Sequence, residues 1–167
     1  KFYNKKMKKI SYFLILIMTL SYLSACSGYR SIFDSSSLNF KIVDYDVSGE
    51  KKLGEQIYFR LNNLSKTKEK NSRIKNIYIF INVNKNKNPT SKNSAGKILA
   101  YKISISTKIS VKDLTTGNEI LNKKFVSSSS YEVQDKYSET LKLERKSIED
   151  MLNKTYQDLL VSLLENI

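Results

Sequence analysis

The chain has 167 residues, one cysteine, no histidine, and 29 basic against 16 acidic side chains, for a formal charge of +13. A lone cysteine leaves no internal disulfide. Without histidine there is no Cys/His zinc site, no Ser-His-Asp triad and no Cys-His pair, so most familiar hydrolytic and metal chemistry is excluded from the outset.

At the amino end, Lys5, Lys6, Lys8 and Lys9 precede an apolar run from Ile10 to Leu23 that is broken only by Ser11, Thr19 and Ser21, with Ser24 and Ala25 behind it. Basic, then apolar, then small is the order of a secretory signal. The run is shorter than the roughly 20 apolar residues a membrane-crossing helix needs. Leu23-Ser24-Ala25-Cys26 has the pattern of a bacterial lipobox, in which the thiol is acylated and the chain is cut just before it. Residues 1–25 therefore read as a lipoprotein signal peptide, and Cys26 as a lipidated new terminus. Residues 26–37 read as a serine-rich tether and 38–167 as a single domain. Two or more acyl chains, at about 0.8 kcal/mol per buried methylene, make a stable anchor. Ser27 stands where an aspartate would signal inner-membrane retention in enteric bacteria, which favours the outer membrane.

Five lysines fall in residues 1–25, so 29 less 5 leaves 24 basic against 16 acidic residues, a balance of +8. Basic chains seek polyanions, and an exported lipoprotein does not meet nucleic acid. Basicity has a second source: 25 of the 29 basic residues are lysine, beside 15 asparagines and many isoleucines, which AT-rich codons yield whatever the function.

Leu38, Phe40 and Ile42 alternate with Asn39, Lys41 and Val43, giving a first strand that ends near Val47. A helix follows from Ser48-Gly49-Glu50, with Leu53, Ile57, Leu61 and Leu64 as its apolar stripe and Lys51, Lys52, Glu55 and Arg60 on the wet side. After a charged loop over residues 65–72, Ile77, Ile79, Ile81 and Val83 face one way and Tyr78, Phe80, Asn82 and Asn84 the other. Strand, helix and strand joined this closely predict a right-handed parallel crossover. Residues 85–96, with Asn, Lys, Ser and the single proline Pro89, read as a polar loop.

The clearest alternation comes next. Tyr101, Ile103, Ile105, Thr107, Ile109 and Val111 form an apolar face, against Lys102, Ser104, Ser106, Lys108, Ser110 and Lys112 on a polar one. Turn residues over 113–118 and a returning strand from Ile120 to Val133 predict a long antiparallel hairpin. From Ser138, Leu141, Ile148, Met151, Leu152, Thr155, Leu159 and Leu163 recur at helical spacing. That helix mixes Glu144, Glu149, Asp150, Asp158 and Glu165 with Arg145, Lys146 and Lys154, which favours packing on the sheet over lying on a membrane. The order β-α-β-β-β-α gives an α+β fold, a four-stranded mixed sheet with two helices packed on one face. Asp44 and Asp46 share a face of the first strand and could share a proton as an acid/base pair. No histidine, second acidic pair or glycine-rich phosphate loop lies near them in sequence, so solubilising a strand end is the expected role and the chain is read as non-enzymatic.

Taken together, the lipobox, the opening Cys26-Ser27-Gly28-Tyr29-Arg30-Ser31-Ile32-Phe33, the hairpin "ILAYKISISTKISVKDLTTGNEILNKKFVSSSSYEV" and the terminal helix "IEDMLNKTYQDLLVSLL" resemble the LPS-assembly lipoprotein family, LptE, of Gram-negative bacteria. The resemblance implies an outer-membrane lipoprotein that sits inside the lumen of a large β-barrel, LptD, and helps it place lipopolysaccharide in the outer leaflet. The polar face with Lys102, Lys108 and Lys112 suits a polar barrel interior, and lysine amines suit lipid A phosphates. The family's lipopolysaccharide-contacting basic residues fall nearest to Lys92, Lys97 and Lys136. No metal and no cofactor beyond the covalent lipid on Cys26 is implied. The competing expectation is a free-standing periplasm-facing lipoprotein that binds a lipid or peptide alone.

Overall fold

The computed structural model describes residues 40–66 and 74–166, so the signal segment, Cys26 and the tether lie outside the described residues. The elements are β1 (Phe40–Gly49), α1 (Lys51–Lys66), β2 (Lys75–Lys92), β3 (Ile98–Asp113), β4 (Glu119–Glu132) and α2 (Tyr137–Asn166). The strands form one sheet in the order β1-β2-β3-β4. β1 and β2 are parallel across the α1 connection, while β2/β3 and β3/β4 are antiparallel. The α+β architecture expected from the sequence is the one observed.

Alternation decides which face is core. Ile77, Ile79, Ile81 and Val83 of β2 and Ile103, Ile105, Ile109 and Val111 of β3 are at most 1% exposed. Both helices cover this face, α1 over β1 and β2 and α2 over β4 and β3. α1 buries Leu53, Ile57 and Leu61, three of the four residues of its expected stripe, and α2 buries Met151, Leu152, Leu159, Leu160 and Leu163. Arg60 of α1 donates to Asn153 of α2, and the Tyr156 hydroxyl donates to the Arg60 carbonyl at 3.5 Å, which joins the helices to each other.

Two local features differ from the sequence reading. The stretch after Val83 is not a loop: β2 runs on to Lys92 and pairs with β3 down to Ile98, leaving a turn only at residues 93–97. These polar residues are strand because β3 supplies their hydrogen bonds. β1 also carries a bulge between Ile42 and Asp44. One extra residue, Val43, changes the phase, so Tyr45 and Val47 take the core side while Asp44, Asp46 and Ser48 turn to the outer face. Strict alternation from Phe40 would have put both carboxylates in the core, at a desolvation cost of several kcal/mol each.

Candidate functional site

The outer face of the sheet follows from the register. Across the strands its rows read Asp44-Tyr78-Lys112-Glu119, then Asp46-Phe80-Ser110-Asn122, then Ser48-Asn82-Lys108-Lys124. Further on, β2, β3 and β4 contribute Asn84-Ser106-Val126, Asn86-Ser104-Ser128 and Asn88-Lys102-Ser130. Among the described residues no helix lies on this side. The Asn82 side-chain amide donates to Ser48 Oγ at 2.6 Å and that of Asn84 to Asn82 Oδ1 at 2.9 Å, so part of the face is a hydrogen-bonded polar ladder. Lys102, Lys108 and Lys124 are exposed, and none joins an ion pair among the described residues. From Asn71 to Lys112 the sequence contains no carboxylate at all.

The three lysines expected to contact lipopolysaccharide come to one end of the sheet. Lys92 closes β2 and pairs with Ile98. Lys97 closes the β2–β3 turn, where its N–H donates to Asn93 Oδ1 at 2.9 Å and its carbonyl accepts from Asn93 N at 2.9 Å. Gly96, with φ +79°, supplies the left-handed residue this turn needs. Lys136 lies in the β4–α2 connection, which is drawn to the same end because Val133 N donates to the Leu99 carbonyl at 2.8 Å. Its amine stands 3.9 Å from Glu139 Oε1, with both side chains exposed. Asp44 and Asp46 are also exposed on the outer face, and Asp44 Oδ1 accepts from Tyr45 N at 2.8 Å.

Two features escaped the sequence reading. The first is Lys124, which pairs directly with Lys108 across β3 and β4. A hairpin keeps the sum of paired residue numbers nearly constant, so the turn over 113–118 already pointed to this partnership. The second is a cluster on the core side beyond α1. Lys87 donates to Glu144 Oε2 of α2 at 2.6 Å, the Tyr131 hydroxyl donates to the same oxygen at 2.9 Å, and the Lys87 amine sits 4.4 Å from the centre of the Tyr101 ring. Burial alone would raise the Glu144 pKa, but the hydrogen bonds from Lys87 and Tyr131 outweigh it and hold the carboxyl below the usual range. Burial likewise works against the charge on Lys87, and the Glu144 bond overcomes it, so the lysine pKa is raised.

An open groove of about 450 Å³ runs between β4 and α2, lined by Val126, Ser127, Ser128, Ser129, Asp150, Met151 and Lys154. It exists because Ser127 and Ser129 occupy core-side positions of β4 where Phe125 and Tyr131 fill their own space. The Ser127 hydroxyl is buried there without a hydrogen-bond partner.

No protein-family model matches the chain, and no curated protein matches it. Solved structures do. The fold is similar to that of rare lipoprotein B from Shewanella oneidensis (TM-score 0.52, 15% identity, 73% of this chain and 94% of that one). It is similar also to a minor lipoprotein from Acinetobacter baumannii (0.55, 10%, 77% and 92%) and to lipoprotein B from Nitrosomonas europaea (0.55, 15%, 80% and 88%). The sheet and helices described above are thus a fold that bacterial lipoproteins carry.

Proposed function

We propose that this protein is an LptE-type lipoprotein, anchored in the outer membrane through lipid on Cys26. In this reading its body lodges in the lumen of an LptD-type β-barrel and supports the insertion of lipopolysaccharide into the outer leaflet. The observation that carries the reading is the coincidence of a lipobox, Leu23-Ser24-Ala25-Cys26, with a fold shared along 88–94% of the lengths of the three lipoproteins named above. Two further observations support it. The sheet face that no described element covers is largely polar, as a water-filled barrel interior is. Lys92, Lys97 and Lys136 gather at one end of the sheet, where amines would meet lipid A phosphates as point charges.

The test is gentle detergent extraction of the tagged full-length protein from membranes, followed by mass spectrometry. A large β-barrel recovered in about equal amount is the expected result. The protein recovered alone overturns the plug reading and favours a free-standing binder, for which the groove between β4 and α2 is the observation in favour.

A further inference from the structure

The outer face carries an arrangement that folding does not explain. Lys108 and Lys124 are direct cross-strand partners, and like charges so placed destabilise a sheet. Their neighbours on the same face do not compensate: Ser106 and Ser110 flank Lys108 along β3, Asn82 lies beside it on β2, and Asn122 and Val126 flank Lys124 along β4. Lys112, by contrast, has Glu119 opposite it, so the sheet provides a carboxylate partner elsewhere on the same face. Among the described residues this exposed cross-strand pair has no counter-charge.

We infer that the outer sheet face centred on Lys108 and Lys124 is a docking surface for a protein that presents carboxylates to this lysine pair. The inference rests on the proposed function for the identity of that partner, the inner wall of the barrel. A protein fits better than an anionic membrane or a polyanionic chain, because Asp44 and Asp46 are exposed on the same face and would repel a uniformly negative partner. The rest of the face is built for a partner with fixed groups. Asparagine and serine alternate out along the strands at about 7 Å intervals, and Val126, 66% exposed, is an apolar contact beside Lys124. Of the described elements, α1 and α2 both lie on the other side of the sheet, and none lies on this face.

The experiment uses the detergent-extracted complex of full-length protein and barrel. A carbodiimide, which joins an amine to a carboxylate only when the two are in ion-pair contact, is applied and the cross-linked peptides are sequenced. Cross-links from Lys108 or Lys124 to aspartate or glutamate of the barrel are expected. Cross-links confined to other lysines, such as Lys97, Lys136 or Lys146, overturn the inference while leaving the plug reading intact, and recovery of no barrel with the wild-type chain overturns both. In parallel, Lys108→Thr/Lys124→Thr removes the repelling pair with residues suited to strands. Its melting temperature is expected to equal or exceed that of wild type, while recovery of the barrel falls at least tenfold. A well-folded double variant that recovers the barrel in full overturns the inference.

Discussion

At Gly49 the end of β1 meets the backbone of β2, and the chain must turn at once into α1. Gly49 has φ +74°, and a Cβ built there would lie 2.1 Å from the Val83 carbonyl oxygen, the same oxygen that accepts from Glu50 N at 2.8 Å. Gly117, in the β3–β4 turn, shares the left-handed conformation (φ +75°) but has nothing within 4 Å of such a Cβ. The two glycines therefore separate backbone strain from close approach. Gly117→Ala should lose about 1 kcal/mol from strain alone. Gly49→Ala adds a clash with an immovable carbonyl and should lose roughly 3 kcal/mol or more. Urea denaturation of the two variants measures the difference, and equal losses would contradict the close-approach argument. The sequence showed Gly49 only as the start of a helix, because its constraint comes from Val83, more than thirty residues away.

Among the elements, the long β2–β3 hairpin needs a tie to the body, since β1 ends at Gly49 opposite Val83 and, among the described residues, no strand pairs with the rest of β2 on that side. The Lys87–Glu144–Tyr131 cluster is that tie, linking the outer part of β2 to β4 and α2. Its charged form fails at both ends of the pH scale. Glu144, with a lowered pKa, contributes stability above the ordinary carboxylate pKa and loses it as pH falls through its own lower value. Lys87, with a raised pKa, contributes below the ordinary lysine pKa and loses this only at still more alkaline pH. Glu144→Gln should therefore be less stable than wild type by about 0.5–1 kcal/mol at neutral pH, given that Lys87 is partly solvated. The gap should close in acid, below the depressed pKa of Glu144. Thermal melts at neutral and acid pH check this, and a gap that persists in acid would assign the effect to packing rather than charge.

The same region shows why β2 was only half legible. Ile77 to Val83 alternate because α1 covers them, whereas residues 84–92 are polar on both faces and carry Pro89, which reads as loop. Pro89 is tolerated because, among the described residues, no strand pairs with that side of β2 there, and the register slips just beyond it, between Pro89 and Ser91. The bulge at Val43 is marked in β1 only by the shift of apolar parity from Phe40 and Ile42 to Tyr45 and Val47, and the pairing with β2 fixes where the extra residue sits. β3, by contrast, alternates from Tyr101 to Val111, and its core face was readable residue by residue.

At the scale of the whole molecule, the division of labour was more legible than the contacts. The sequence separates an anchor, a polar sheet face and an apolar helix-covered core, since each has its own pattern. It could not show that Lys92, Lys97 and Lys136 share one end of the sheet, because that depends on the antiparallel run of β4 and the bond from Val133 N to the Leu99 carbonyl. Nor could it show that Lys124 faces Lys108 without aligning the hairpin.

The anchor is the part of the proposal that the body cannot supply. Among the described residues no helix is long and apolar enough to cross a membrane. The charges of α2 are mixed and its apolar side is spent on the sheet, so this helix offers no second anchor of its own. Membrane attachment in the proposed reading then depends on acyl chains at Cys26, each methylene contributing about 0.8 kcal/mol. Cys26→Ala removes the only thiol and with it both the acylation and the cut before residue 26. The expected product is a longer, unacylated chain that retains residues 1–25, seen as a mass increase relative to the processed wild-type polypeptide and as the absence of incorporated labelled palmitate. Mature acylated protein in that variant would show that the lipid is attached elsewhere, and would remove the lipobox from the argument while leaving the fold and its lysine-bearing face as they stand.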